Sequence, residues 1–166
     1  DAATAGLDLL HTQEAVMRVL HVLDHSLPLH SGYTFRTRAI LKAQQGMGME
    51  VRGITGLRHF AEGPDAEEVD GIIFHRSRGS AGGPVAIREW REIQCLADAI
   101  VRLAADWRPD VLHAHSPALC GLAAIKAGRR LSIPVVYEIR AFWEDAAVGN
   151  GTGREGSAKY WLTRVL

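Results

Sequence analysis

Apolar residues along this chain fall into two alternating regimes. Short, near-continuous runs predict strands buried on both faces, and longer stretches with apolar positions every third or fourth residue predict amphipathic helices. Residues 18–24 predict a first strand, followed by a loop of Ser, Pro, His and Gly and a helix over 33–45 closed by Gly46 and Gly48. A second strand is predicted at 49–55. An acidic loop carrying Glu62, Asp65, Glu67 and Glu68 leads to a third strand at 71–74. The Gly/Ser-rich stretch 76–84 reads as a mobile loop outside the core. Ile87, Trp90, Ile93, Leu96, Ala97, Ile100, Leu103, Ala104 and Trp107 give the clearest helical period, over 85–107, ended by Arg108-Pro109. A fourth strand at 111–114, a helix from Pro117 to about residue 130 and a fifth strand at 133–138 complete the pattern.

Strands alternating with helices imply right-handed crossovers and a parallel sheet covered on both faces, an α/β doubly wound, Rossmann-like unit. With the order 3-2-1-4-5, the first and fourth strands are neighbours whose connections leave on opposite sides. Their C-terminal ends then define a crevice, with the loops 27–32 and 115–117 facing each other across it.

Composition narrows the partners. At 166 residues and 47% hydrophobic, the chain buries roughly two-thirds of its extended surface, which suits one domain. Nineteen basic residues balance nineteen acidic ones, so neither a nucleic-acid surface nor a polybasic membrane patch is expected. The apolar runs fall short of the ~20 residues of a spanning helix, and no signal-peptide core is visible. Cys95 and Cys120 have no CxxC spacing and read as buried free thiols of a cytoplasmic protein. Residues 1–16 read as an N-terminal extension and 17–166 as the domain. Helical character over 157–166 without a stop signal suggests a chain that ends inside a helix and belongs to something longer.

The candidate chemistry gathers at the strand ends. Ser31-Gly32-Tyr33, between the first strand and its helix, can present backbone N–H groups to an anion with the helix dipole assisting; alternatively Gly32 fits a turn and Ser31 caps the helix. His113 and His115 share one face of the fourth strand. His113, deeper in the strand, reads as a packed core residue, and His115, at the mouth, as the functional one. A metal site on this pair would need further ligands, which His21, His25 and His30 supply only by converging, so no metal is expected. Glu138, Arg140 and Glu144 follow the fifth strand among aromatic residues and suit sugar hydroxyls, the alternative being an Arg140–Glu144 ion pair that fixes the loop. Arg36, Arg38 and Lys42 read as a solvated helix face. Without three spaced glycines, or an acidic residue where Thr55-Gly56 ends the second strand, a dinucleotide cofactor is not expected.

Three blocks in order, residues 18–24 with Ser31-Gly32, residues 109–115 and residues 134–140, resemble the N-terminal domain of the retaining family-4 glycosyltransferases of GT-B fold. The stretch 137–145 resembles the subgroup that accompanies bacterial exosortase-linked exopolysaccharide loci. The resemblance implies a two-domain enzyme whose absent C-terminal half binds most of a nucleotide-sugar donor, while this half shapes the site of a glycan or lipid-linked acceptor. It implies a backbone role near the donor phosphate for Gly32, with Ser31 where many members carry a second glycine, and a place near the transferred sugar for His115. It also implies no catalytic metal or cofactor, no nucleic acid, peripheral contact with the inner membrane, and no activity for this half alone. A stand-alone nucleotide-binding Rossmann module, a metal-dependent hydrolase built on His113 and His115, and a non-catalytic partner domain are the rival readings.

Overall fold

Five of the six residues of β1 (Arg18–Leu23) are buried, as a strand covered on both faces requires. A computed structural model describes residues 15–140. After β1 come α1 (Gly32–Gly46), β2 (Glu50–Thr55), β3 (Ala66–Val69), β4 (Ile72–Arg76), α2 (Val85–Trp107), β5 (Val111–His115), α3 (Ala118–Leu131) and β6 (Val135–Glu138). They build one six-stranded sheet of order β3-β4-β2-β1-β5-β6. Every pairing is parallel except β3 with β4, so the expected order of the parallel strands holds. The expected extension over 1–16 and the helical stretch 157–166 fall almost wholly or wholly outside the described residues.

Side-chain alternation sorts the core into two layers. Leu20, Val22, Ile54, Leu112 and Ala114 meet Leu96, Ala97, Ile100 and Trp107 of α2 and the small face of α3, Cys120, Ala123, Ala124 and Ala127. On the opposite face, Val19, Leu23, Val51, Ile72 and Phe74 pack with Leu41 of α1. Gly53 of β2 belongs to this second layer by necessity: a Cβ there would stand 2.5 Å from the Phe74 ring, inside van der Waals contact.

Two expectations are corrected. The acidic stretch before the third predicted strand is itself a strand, β3, joined to β4 through Asp70 (φ 57°) and Gly71 (φ 69°). Two adjacent left-handed residues are what a tight two-residue hairpin demands, and Asp-Gly is its preferred sequence. The Gly/Ser-rich stretch is anchored rather than outside the core at its start. Arg76 and Ser77 are buried; the Arg76 guanidinium binds Glu67, the Ser26 hydroxyl and the Leu27 carbonyl, while Ser77 Oγ donates to the Thr55 carbonyl. A charge enters the interior here because both terminal nitrogens of the guanidinium are hydrogen-bonded and one meets a carboxylate. Cys120 is buried as expected and Cys95 is half-buried.

Candidate active site at the ends of β1 and β5

The same alternation that points Leu20, Leu112 and Ala114 at α2 and α3 points His21, His113 and His115 the other way, under α1. His21 and His113 are register partners on adjacent parallel strands, and the three rings lie 4.3 to 5.1 Å apart by their centroids. A buried line of hydrogen bonds runs through them. An Arg140 Nη donates to His115 Nδ1; His115 Nε2 meets His21 Nδ1 at 2.8 Å, and His21 Nε2 meets Gln44 Oε1 of α1 at 2.8 Å. In the order set by the guanidinium, which only donates, His115 accepts at Nδ1 and carries its proton at Nε2, His21 repeats the pattern and Gln44 Oε1 accepts the last proton; the Glu138 carboxylate, 2.9 Å from the same Nδ1, favours the other tautomer. Both imidazoles are therefore neutral. Burial agrees: it is the largest cause lowering His21 to about 3 and His115 far below its ordinary value, with neighbouring His and Arg groups adding to both.

Above this line a cleft of about 340 Å³ opens at the C-terminal ends of β1 and β5, lined by Asp24, His25, Gly32, Tyr33, Arg36, Ser116, Pro117 and Arg140. Ser31 caps α1: its Oγ accepts from the Thr34 N–H at 3.1 Å and the Thr34 Oγ1 accepts from the Ser31 N–H at 2.8 Å, a reciprocal box. The Phe35 N–H goes to the Ser31 carbonyl. That leaves the first helical amides, Gly32 and Tyr33, as the donors at the cleft wall, and among the described residues nothing stands within 4 Å of the space a Gly32 side chain would fill. Arg140 closes the opposite side. Its backbone N–H donates to Ser116 Oγ at 2.8 Å, Nη1 donates to Thr37 Oγ1 at 2.8 Å and to the Tyr33 carbonyl at 3.2 Å, and the guanidinium lies 4.6 Å above the Tyr33 ring. Arg36 meets Glu138 Oε1 at 2.8 Å. Arg140 Nε is 3.4 Å from the same Glu138 oxygen, so two guanidinium groups sharing one carboxylate, with a positive balance between them, and a helix N-terminus line one cleft, an arrangement suited to an anion.

Of the expected site residues, Gly32, Tyr33 and Arg140 line the cleft together. Ser31 sits beside it as the cap, its Oγ also 2.9 Å from His25 Nε2, while His25 Nδ1 lies 3.0 Å from Asp24 Oδ2. Glu138 is behind the wall, bound to Arg36, with Oε2 2.9 Å from His115 Nδ1 and 3.5 Å from His113 Nε2. Glu144, and with it the Arg140–Glu144 pair, lies outside the described residues. The placement of the two strand histidines is the reverse of the expectation: His115 is 0% exposed, roofed by Arg140 and α1, whereas the His113 side chain is 16% exposed. Arg36 is more than a solvated face, since it joins the cleft, while Arg38 pairs with Asp70.

Sequence reasoning placed Ser116 at the crevice without giving it a role, and missed Asp24, His25, His21 and Gln44. His21 carried a signal, because a histidine inside a central strand needs partners, and neighbouring strands of known order offer His113 and His115. One nitrogen from each of these three rings lies within 4.8 Å of the others, so of the three further histidines considered for the pair His21 does converge on it, while His25 meets Asp24 and Ser31 instead and His30 lies against the Phe35 ring. An ion there would have to displace hydrogen bonds, because both nitrogens of His21 and both of His115 are already engaged.

The sheet order, flanking helices and end-of-strand cleft define one Rossmann-like half of a GT-B fold. Solved structures share it: a sucrose-phosphate synthase from Thermosynechococcus elongatus (TM-score 0.61, 13% identity, 89% of this chain and 39% of that one) and CalG4, the calicheamicin glycosyltransferase (TM-score 0.53, 12% identity, 91% and 41%). The C-terminal domain of a Pyrococcus furiosus hydrogenase has a similar architecture (TM-score 0.52, 12% identity, 74% and 90%). At these identities the likeness is one of fold. The model of the glycosyl transferase 4-like domain matches residues 31–166, and the chain belongs to that family. No curated protein matches it by sequence. The chain spans about two fifths of the synthase and of CalG4. No helix among the described residues is long and apolar enough to cross a membrane.

Proposed function

We propose that this chain is the N-terminal, acceptor-side domain of a retaining glycosyltransferase that moves a sugar from a nucleotide-sugar donor to a glycan or lipid-linked acceptor. The observation that carries the reading is the cleft that joins the start of α1 to Arg140 and Arg36. Breaking a sugar–phosphate bond builds negative charge on the departing diphosphate and positive charge on the anomeric carbon, so fixed donors and cations at the phosphate lower the barrier. Gly32 and Tyr33 N–H and the Arg140 guanidinium supply them. The domain would span 17–166, and a second Rossmann-like domain in the parent protein would hold most of the nucleotide. A bacterial exopolysaccharide product, made on the cytoplasmic face at the inner membrane, is the narrower form of the proposal.

His115 acts through Arg140 in this reading. Buried, neutral and with both nitrogens engaged, it holds the guanidinium rather than exchanging a proton with a substrate hydroxyl. Glu138 and Arg36 shape the adjoining wall, and Glu144 is retained as a candidate for the acceptor.

The test is sugar transfer by the parent-length protein from a panel of nucleotide sugars. The product should keep the donor's anomeric configuration by NMR. Arg140→Gln should lower kcat by about 100-fold, the scale of losing one preorganised donor to developing charge, and His115→Ala should lower it while the protein stays folded. Full activity in Arg140→Gln, or an inverted product, overturns the reading.

A further inference from the structure

One atom does not fit the line of hydrogen bonds described above. Glu138 Oε2 is buried without a hydrogen-bond partner among the described residues, yet it stands 2.9 Å from His115 Nδ1. While Arg140 donates to that nitrogen, the nitrogen carries no proton to give. A carboxylate oxygen facing a lone pair at this distance is unfavourable, and the same atoms would form a good bond if Nδ1 were protonated.

The far end of the line can permit this. Gln44 is an amide, able to accept through Oε1 or, turned over, to donate through Nε2. In the order seen, bonds run from Arg140 through His115 and His21 to Gln44 Oε1. In the opposite order, Gln44 Nε2 donates to His21 Nε2, His21 Nδ1 donates to His115 Nε2, and His115 Nδ1 donates to Glu138 Oε2. Each imidazole keeps one proton in both orders. The change takes the proton from His21 Nε2 to water, shifts the shared proton from His115 to His21, and delivers one from water to His115 Nδ1, so charge and atoms balance. The opposite order satisfies Glu138 and frees the Arg140 Nη2 group.

We propose that His21 and Gln44 are positioning residues for Arg140, acting through His115, and that an anion drawing Arg140 into the cleft reverses the hydrogen-bond order. This deepens the transferase reading, since it rests on Arg140 meeting the diphosphate. Neither residue touches the cleft. Gln44 lies three turns along α1 from Gly32, so one helix carries both the N–H donors for the anion and the amide that sets the order behind it.

The experiment is long-range proton–nitrogen NMR on histidine-labelled chain, with inorganic pyrophosphate as the probe. Without pyrophosphate, His21 and His115 should both be protonated at Nε2 alone; Nδ1 protonation or an imidazolium at neutral pH overturns the observed order. Gln44→Leu should make His115 lose its single tautomer although the two do not touch, and Gln44→Glu, which keeps an acceptor, should restore it. An unchanged His115 in Gln44→Leu removes Gln44 from the account. If that variant does not fold, the wild-type titration decides: pyrophosphate should move the His115 proton to Nδ1. Shifts at the Gly32 and Tyr33 amides with His115 unmoved sink the reversal and leave the transferase reading standing. No shift at those amides sinks the reversal, because no anion then reaches Arg140, and the transferase reading is decided separately by sugar transfer in the parent-length protein.

Discussion

Acidification should loosen this fold well above the carboxylate range, because two histidines are held neutral inside it. His21 and His115 have folded pKa values below their ordinary 6.5, His21 at about 3. In the unfolded chain both titrate normally. Between pH 6.5 and about 3 the unfolded state therefore binds more protons than the native one, and stability falls as pH falls through that window; above 6.5 the contribution is complete. Each unit is worth about 1.4 kcal/mol. At pH 5, roughly 1.5 units below the unfolded value, His21 costs about 2 kcal/mol, and His115 a similar amount. Together they remove about 4 kcal/mol, a large share of the 5–15 kcal/mol typical of a domain. His59, lowered to about 4 by burial and by Arg76, acts in the same direction. Urea unfolding at pH 7 and pH 5 measures the difference. His21→Gln lowers stability at both pH values, yet the pH 7 to pH 5 loss should shrink by about 2 kcal/mol, since one titrating group is gone. An identical pH loss in wild type and variant refutes the neutral, buried state on which the site description depends.

Two packing predictions follow from contacts already described. Gly53→Ala should destabilise by about 1–3 kcal/mol through overpacking against Phe74, and Phe74→Leu in the same chain should return part of it; additive losses in urea unfolding argue against the contact. Ser31→Ala should cost about 1 kcal/mol as a lost helix cap, and a null effect in the same assay would mean that Thr34 and Phe35 hold the start of α1 unaided.

The sheet order was legible because most of the parallel strands are short apolar runs and α2 keeps a clear helical period, with apolar residues at every turn. β3 escaped because its acidic residues read as a loop, although Val69-Asp70-Gly71-Ile72 holds a hairpin signal. The cleft was legible in outline through Gly32, Tyr33 and Arg140, since topology alone places strand ends together. Exposure was not. Whether His115 stands open depends on an arginine 25 positions later folding back across it, and the partnership of His21 with His115 depends on the register of β1 against β5. Arg76 misled for a related reason: a charged residue reads as surface until its buried partners, Glu67, Ser26 and the Leu27 carbonyl, are known.

The central claim, that the start of α1 and Arg140 form one anion site, is tested most directly by titrating the chain with inorganic pyrophosphate while following backbone amides by NMR. The account predicts saturable shifts centred on Gly32, Tyr33 and Arg140, and an affinity at least about tenfold weaker in Arg140→Gln, as expected for one lost charge-assisted bond. Shifts confined to other parts of the sheet, or an affinity indifferent to Arg140→Gln, would contradict it.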